Sequence, residues 1–309
     1  MEIIRGHENL NPRARTVTTI GTFDGLHVGH RRIISETVAA AQKASLPSLL
    51  LTFDVHPRQV LGPHEGIEIL MTLDDKLEEL ARFELDYVCV MKFRAIARLS
   101  AEDFCRRILI DAAKAKQLFV GANFRFGAGA AGDVAWLREN CADDFTTTDF
   151  PLETTEDTAI SSTKIRDLLK KGEVEKIPLF LGRFINLSGR VVRGAGRGGG
   201  LGFPTANLEF AHGLCLPGRG VYTGYLHVKD LTLPAVINCG TNPTFDNGDF
   251  HCEAHVLDYH ADLYGSNVKL ELTTRLRDEK KFPSPEALSR QITDDVHRAR
   301  EWFERQKRK

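Results

Sequence analysis

Segments with strand and helix patterns alternate through the first half of the chain. The β-branched segment 15–20 precedes a helical pattern at 31–41, and the near-continuous apolar run 46–54 is typical of a strand covered on both faces. The alternation continues with helices predicted at 72–83, 100–116 and 133–140 and strands at 86–91, 117–121 and 145–150. This order predicts a doubly wound, Rossmann-like α/β domain with a parallel sheet, in which ligands bind beyond the carboxyl ends of the strands.

The turn after the first predicted strand has the composition of a phosphate site. Its sequence over residues 21–30 is G-T-F-D-G-L-H-V-G-H, and a helical pattern follows. A helix N-terminus presents free N–H groups and partial positive charge, while Gly25 and Gly29 allow an anion to approach the backbone. The lysine followed by Ser or Thr that a Walker loop requires does not occur here. The turn therefore predicts a phosphate site at His27 and His30, and the alternative is a tight turn whose histidines bond locally.

Three further segments of the first half place polar side chains at the end of a strand or at a helix start. They are His56-Pro57-Arg58, Asn123-Phe124-Arg125 and Ser161-Ser162-Thr163, the last followed by Arg166. Asn123 can bond a phosphate or flavin oxygen, and the phenylalanines around it can line a slot for a ring. Ser162 and Thr163 begin a short helix that ends at Gly172. A proline-terminated strand, an ordinary turn and simple helix capping are the structural alternatives.

Length and composition limit the class of protein. A chain of 309 residues predicts two domains, and 41 Lys and Arg against 42 Asp and Glu give a formal net charge of −1, without a broad basic surface for nucleic acid. Six cysteines lie far apart without a C-x-x-C pair, which favours free buried thiols over zinc sites or disulfides and indicates a reducing cytosol. Since a signal core and an apolar run of about 18 residues are both missing, we expect a cytoplasmic protein that does not enter membranes.

The second half changes to short strands after a helical connector at 175–183. Strand patterns occur at 184–193, 220–228, 233–239, 252–257 and 268–277, before a helix at 284–305. Many short strands with glycine turns predict a compact antiparallel β-barrel with a terminal helix. We accordingly expect one domain at 1–182 and a second at 183–309.

The first polar motif of this half is G-F-P-T-A-N at residues 202–207. In an extended segment the Thr205 hydroxyl and the Asn207 amide face the same way, and two neutral oxygens with nucleotide phosphates and water suit Mg²⁺. The alternative is a Pro-Thr turn with a locally bonded Asn207. The G-x-G-x-x-G match at 194–199 is not followed by a helical pattern, so we reject a dinucleotide fingerprint and retain a glycine-rich flap over phosphates.

Glu253 is the candidate acid of the second half. A loop is predicted at 238–245, and Glu253 then lies on a strand between His251 and His255. Because Cys252 points to the opposite face of that strand, we prefer surface histidines flanking one inward acid over a metal site. The alternative for Glu253 is a solvated strand carboxylate.

In this order the motifs resemble one family along nearly the whole chain. G-T-F-D-G-L-H-V-G-H, F-D-V-H-P-R, V-G-A-N-F-R-F-G and S-S-T-K-I-R are similar to the adenylyltransferase module of bacterial bifunctional riboflavin kinase/FAD synthetases. The H-x-G-H portion also resembles the signature of the nucleotidyltransferase superfamily shared with class I aminoacyl-tRNA synthetases. G-F-P-T-A-N, G-V-Y, N-x-G-x-x-P-T-F and C-E-A-H-V-L-D resemble the riboflavin kinase module of the same family.

The resemblance implies phosphorylation of riboflavin to FMN by ATP and then adenylylation of FMN to FAD with release of pyrophosphate. For the first module it implies His27, His30 and Arg166 as catalytic groups on the ATP phosphates. It implies further ATP contacts by Gly21, Phe23, Asp24, Gly25, Gly29, Ser162 and Thr163, and flavin contacts by His56, Pro57, Arg58, Asn123, Phe124 and Arg125. Val55 stands where the family commonly has proline, and Asn123 where many members have aspartate, which puts a charge-dependent role at position 123 in doubt.

For the second module the resemblance implies ATP contacts by Gly202 and Pro204, Mg²⁺ at Thr205 and Asn207, and Glu253 as the base. The chemistry agrees, because a riboflavin hydroxyl must lose its proton to attack, whereas the phosphate of FMN is already ionised and needs only positioning and charge neutralisation. The implied partners are riboflavin, FMN, FAD, ATP, ADP and pyrophosphate, with a monomer or weak homo-oligomer as the expected state.

Three alternative functions stay open at the level of sequence. One is an enzyme with a single activity and one degenerate module, and the second is a flavin-binding regulator that turns nothing over. The third is a tRNA-directed synthetase, although the lysine-rich second signature of those enzymes and a basic anticodon-binding surface are not visible.

Overall fold

The computed structural model describes residues 1–61, 67–155, 158–194, 203–241 and 250–307. It contains two compact units, one formed by 1–69 and 73–162 and the other by 70–72 and 163–309. Most of the glycine-rich segment, with Gly202, and the end of the 238–245 segment lie outside the described residues. The domain boundary between residues 182 and 183 remains a prediction.

The first unit is built on a sheet of six parallel strands. They are β1 (Glu2–Arg5), β2 (Thr16–Ile20), β3 (Ser48–Phe53), β4 (Tyr87–Met91), β5 (Ala115–Gly121) and β6 (Thr146–Phe150). Their order across the sheet is β1-β4-β3-β2-β5-β6, so the direction of winding reverses between β2 and β5. An open α/β sheet binds ligands at this reversal, beyond the carboxyl ends of the strands. The predicted doubly wound domain is confirmed.

The predicted helices are present, one of them with different bounds, and two short helices at 57–61 and 93–96 are additional. Their bounds are α1 (Val28–Ala44), α2 (Pro57–Leu61), α3 (Leu73–Leu80), α4 (Phe93–Ile96), α5 (Ala101–Phe104), α6 (Val134–Asn140), α7 (Ser162–Lys171), α8 (Pro178–Leu181) and α9 (Pro285–Lys307). The helix predicted at 100–116 is wrong in its extent, because α5 continues as a π-helix at Cys105–Ala112 and ends before β5. Lys114 adopts φ 51°, a left-handed conformation that stops a helix.

Apolar side chains on the strands and on the covering helices form the core of the first unit. Leu49, Leu51 and Met91 from the central strands pack in one cluster with Phe104 and Ile108 from the helical layer. Five of the six residues of β3 are buried, as expected for a strand covered on both faces. The packed layers fix the sheet on which the loops at its carboxyl edge are carried.

The second unit contains a closed antiparallel barrel. Its strands are β9 (Ile185–Val192), β10 (Ala206–Phe210), β11 (Gly220–Val228), β12 (Leu231–Thr241), β13 (Phe250–Val256) and β14 (Asn267–Arg277), whereas β7 (Thr154–Thr155) and β8 (Thr158–Ala159) form a separate short pair. The order around the ring is β10-β13-β12-β11-β14-β9. Ala299 and Phe303 of α9 pack against Val221 and Leu257 on the outside. The predicted barrel with a terminal helix is confirmed.

The predicted loop at 238–245 and the prediction that the cysteines are free are each wrong in part. Residues 238–241 continue β12 and are not a loop, because they pair with 250–253 of β13. Cys239 is paired with Cys252, and Cys105 lies against Cys141 with the two Cα atoms 7.7 Å apart, while among the described residues Cys89 and Cys215 are free buried thiols. Cys239 and Cys252 are direct partners across β12 and β13, a proximity that their spacing along the chain does not reveal. Among the described residues, no helix combines the length and apolarity needed to cross a membrane.

Candidate active sites

The turn between β2 and α1 has an unusual backbone. Phe23, Gly25 and Leu26 have φ values of 51°, 80° and 46°, all in the left-handed region. This region is unfavourable for residues other than glycine, so the surroundings must hold Phe23 and Leu26 there. Their side chains are 2% and 0% exposed and act as anchors in the core. The turn is thereby fixed at the reversal point of the sheet.

The two histidines of the turn lie in direct contact. His27 is the N-cap of α1, and its Nδ1 accepts a hydrogen bond from the backbone N–H of His30 at 3.3 Å. The two rings stack with centroids 3.5 Å apart, and the edge of Phe23 meets the His30 ring at 5.3 Å. Nδ1 of His30 is buried and makes no hydrogen bond among the described residues.

Burial favours the neutral form of both imidazoles. Burial lowers the pKa of His27 to about 4, against a smaller opposing effect of its backbone hydrogen bond. Burial also lowers the pKa of His30 well below its ordinary value, and the nearby charges of His27 and Lys76 act in the same direction. A bound anion would raise both pKa values, because an opposite charge favours the protonated form.

Two side chains hold the backbone of the turn from outside it. The Lys76 ammonium on α3 donates to the carbonyl of Thr22 at 2.8 Å and to Oγ1 of Thr52 at 3.3 Å. The Ser162 hydroxyl donates to the carbonyl of Asp24 at 2.8 Å. Lys76 was not among the residues predicted from the sequence. The signal that could have found it is a lysine on the buried face of a helix, since Leu77 and Leu80 beside it are buried.

The predicted flavin-side residues lie after β3 and β5, the neighbours of β2 in the sheet. His56 precedes α2, where its Nδ1 accepts from the N–H of Arg58 at 3.1 Å, and Pro57 begins the helix. The exposed Asn123 folds back toward Gly121, where an added Cβ would be 3.1 Å from its Oδ1. Thus polar groups from three adjacent strands converge on one edge of the sheet.

The other residues predicted near this site have different surroundings. Phe124 stacks on Phe126 with centroids 5.4 Å apart and packs against the core. Arg125 forms an ion pair with Asp133 at 2.6 Å on the surface. Arg166 on α7 is 7% exposed, and it belongs with Thr163 to the second unit.

The outer face of the barrel brings together the predicted kinase residues. Oγ1 of Thr205 donates to Oε2 of Glu253 at 3.2 Å. Asn207 on β10 and Asn238 on β12 are the direct cross-strand partners of Glu253, one on each side. Partners in register share a face of the sheet. The sequence pattern at Asn238 predicts a loop and assigns it no role, yet the register puts Asn238 opposite the acid.

Burial separates the two faces of β13. Cys252, Ala254 and Val256 are buried toward the barrel interior, whereas Glu253 and His255 are partly exposed on the outer face. His255 Nδ1 lies 2.9 Å from the carbonyl of Pro204, and its ring meets Phe203 edge to face at 5.5 Å. Among the described residues, no three His, Cys, Asp or Glu side chains form a group able to hold a metal ion.

A cavity of about 490 Å³, within the range of about 300–1,000 Å³ usual for small-molecule sites, is lined by residues of β9, β10 and β13 and of the segment that follows β13. Glu253 is not among its lining residues. Thr205 and Asn207 line it together with apolar residues and Tyr259 and Tyr264. Gly194 stands at its margin, where a Cβ would lie 2.1 Å from the Asn207 amide. Any larger side chain at position 194 would displace the Asn207 amide.

Comparisons with known proteins cover both halves of the chain. A family model described as FAD synthetase matches residues 10–164, and one described as riboflavin kinase matches residues 181–303. The bifunctional riboflavin kinase/FMN adenylyltransferase of Escherichia coli K12 is 36% identical over 98% of both chains, and that of Pseudomonas fluorescens is 33% identical over 97% of both.

A crystal structure from Streptococcus pneumoniae, named as a macrolide-efflux protein, is 28% identical, covers 98% of this chain and 100% of its own, and has a TM-score of 0.88. That structure has the same fold over its whole length, while both family models and the curated relatives name flavin enzymes. The chain belongs to the bifunctional riboflavin kinase/FMN adenylyltransferase family and carries both activities of that family.

Proposed function

We propose that the chain divides its two activities between the 21–30 turn and the outer face of the barrel. The Thr205–Glu253 hydrogen bond is the observation that carries the division, because it joins a carboxylate to the hydroxyl of a residue that lines the cavity. The 21–30 turn offers imidazoles and backbone groups and suits the transfer that needs no base. In this proposal residues 1–182 make FAD and residues 183–309 make FMN.

In the kinase step, Glu253 takes the proton of the riboflavin 5'-hydroxyl, the oxygen attacks the γ-phosphorus of ATP, and ADP leaves. Asn207 and Asn238 flank the carboxylate and limit the positions that it can adopt. Gly202 and Pro204 are assigned to ATP binding. The His255 ring contacts the Pro204 carbonyl and so helps to hold Pro204 in place.

Mg²⁺ fits the donor set at Thr205 and Asn207. Both oxygens are neutral and hard, and the ion would complete its shell with phosphate oxygens and water. A side chain at position 194 would collide with the Asn207 amide, so the glycine there leaves the amide free to face the ion. When bound, the ion would neutralise charge on the ATP phosphates.

In the adenylyl step, a phosphate oxygen of FMN attacks the α-phosphorus of ATP and pyrophosphate leaves. His27 and His30 donate hydrogen bonds to the phosphates, and the growing negative charge raises their pKa values while the bond breaks. We assign Gly21, Phe23, Asp24, Gly25 and Gly29 to the shape of this phosphate site, with Ser162, Thr163 and Arg166 on the triphosphate. His56, Pro57, Arg58, Asn123, Phe124 and Arg125 are assigned to the flavin side.

We infer that the partners are small molecules, namely riboflavin, FMN, FAD, ATP, ADP and pyrophosphate, and not nucleic acid. A monomer or a weak homo-oligomer is sufficient, since each proposed site is drawn from one chain. The cytoplasm supplies ATP and Mg²⁺, and we place the enzyme there.

The division is tested by assaying the two reactions separately in E253Q and H30A. E253Q should slow FMN formation roughly 100- to 10,000-fold and leave FAD formation from supplied FMN unchanged, because only the alcohol needs a base. H30A should slow FAD formation from supplied FMN and leave FMN formation unchanged. E209Q and H212A, which change an exposed acid and an exposed histidine, are the matched controls. Normal FMN formation by E253Q would show that the proposed base is wrong.

A further inference from the structure

A buried lysine outside the residues assigned above ties two strand ends together. Lys76 lies on α3 and is 8% exposed. Its ammonium donates to the Thr22 carbonyl after β2 and to the Thr52 hydroxyl at the end of β3, at 2.8 and 3.3 Å. The lysine thus bridges adjacent strands at the edge of the sheet where the ligand site is proposed.

A charge in this position is costly if packing is its only purpose. Burial removes water from the ammonium and lowers the pKa of Lys76 to about 8, and the nearby charge of the buried Asp24 offsets only part of this effect. A methionine of similar length would fill the space without that cost. The three acceptors and charges around Lys76, at Thr22, Asp24 and Thr52, are all at the carboxyl edge of the sheet.

The bond to Thr22 acts on the part of the turn that positions His30. Thr22 directly precedes Phe23, whose φ of 51° is unfavourable, and the Phe23 ring meets the His30 ring at 5.3 Å. Ser162 holds the carbonyl of Asp24 on the other side of Phe23 at 2.8 Å. Phe23 is therefore held between two fixed carbonyls, and its ring supports one side of His30.

We propose that Lys76 is a positioning residue for adenylyl transfer, which holds the Thr22 carbonyl and, through Phe23, places His30 against the phosphates of ATP. The proposal rests on the role proposed above for His30. The positive charge of Lys76 also opposes protonation of His30 before a nucleotide binds. A misplacement of about 1 Å in such a group costs up to about 100-fold in rate, so a lysine without ligand contact can control the reaction.

The test compares K76M, H30A and the double variant H30A/K76M with the unchanged chain, and uses K43M, which alters an exposed lysine of α1, as the matched control. K76M should lower kcat for FAD formation roughly 10- to 100-fold and change KM for ATP by less than about threefold. Riboflavin phosphorylation by the same sample should be unchanged. If Lys76 acts through His30, the double variant should be about as active as H30A alone.

If K76M forms FAD normally while H30A is impaired, the role proposed for Lys76 is wrong and the role of His30 stands. The role of Lys76 is also wrong if the fold-loss of FAD formation in H30A/K76M equals the product of the losses in the two single variants, because the two residues then act independently. Normal FAD formation by H30A overturns the assignment of the 21–30 turn, and the proposal for Lys76 with it. If K76M does not fold, K76Q, which keeps an N–H donor for Thr22 and lacks the charge, is measured instead. Its FAD formation should fall less than about tenfold, and a loss as large as that of H30A would show that the bond to Thr22 is not what Lys76 contributes.

Discussion

The stacked imidazoles of His27 and His30 make the stability of the first unit depend on pH. The pKa of His27 is about 4 in the folded chain and about 6.5 when unfolded, so the unfolded chain binds more protons between these values. Stability is therefore full above about pH 6.5 and decreases as the pH falls toward 4. For His27 alone we expect the free energy of unfolding to fall by about 2 kcal/mol between pH 7 and pH 5.

Urea unfolding of the unchanged chain and of H27Q at the two pH values measures this effect. H27Q should lose less stability on acidification, and H212Q, which changes an exposed histidine, should behave like the unchanged chain. An equal loss in H27Q would mean that His27 is not the group that takes up the proton.

Gly25 should be the glycine of the 21–30 turn that is least tolerant of a side chain. Its φ of 80° is left-handed, and an alanine there should cost about 1–2 kcal/mol. At Gly29, inside α1, the nearest atom to an added Cβ is 3.4 Å away, so alanine should be tolerated. Thermal unfolding of G25A and G29A compares the two positions, and equal midpoints would contradict the prediction.

Among the elements, α9 is held on the barrel by one buried and one exposed ion pair. Arg277 donates to both carboxylate oxygens of Asp295, whose side chain is 2% exposed. Arg300 pairs with Asp258 at 2.7 Å, but both side chains are largely in solvent. D295N should lower the free energy of unfolding by about 3 kcal/mol, because it leaves the arginine buried without its carboxylate.

D258N is the matched control and should cost about 1 kcal/mol or less, since an exposed pair contributes little. Urea unfolding of the two variants gives the comparison. A similar cost for both would show that burial does not decide the strength of these pairs.

Periodicity predicts most elements of this chain because strands and helices bury regular faces. β3 and α6, for example, lie within about two residues of their predicted bounds. The four-residue β1 was missed, since it lies at the sheet edge with three exposed residues and has no apolar pattern. Glycine and asparagine at 238–241 are typical of turns and predict a loop, yet pairing with β13 keeps these residues extended.

The parts of the candidate sites that lie in contiguous sequence motifs could be predicted from the sequence. The 21–30 turn and the Thr205–Asn207 segment are contiguous, and their geometry follows from a helix start and from strand alternation. Lys76, Asn238 and the pairing of Cys239 with Cys252 depend on neighbours that are distant along the chain. The buried face of α3 singles out Lys76 as unusual, but the partners of all these residues are revealed only by the fold.

At the scale of the whole molecule, the balance of charge argues against polyanion binding. The formal net charge is −1, with 41 basic and 42 acidic side chains. We expect no measurable binding of a short DNA duplex by fluorescence anisotropy at about 0.15 M salt, where screening extends over roughly 8 Å. A basic DNA-binding protein is the positive control, and saturable binding at this salt concentration would contradict the prediction.

The closed ring of strands has a consequence for synthesis on the ribosome. β9 pairs on one side with β10 and on the other with β14, the last strand of the chain. The ring therefore cannot close until residues 267–277 have left the exit tunnel, whereas all six strands of the parallel sheet have emerged once residue 150 is outside. A nascent chain should thus fold the sheet unit, proposed to make FAD, before the barrel, proposed to make the FMN that FAD formation consumes.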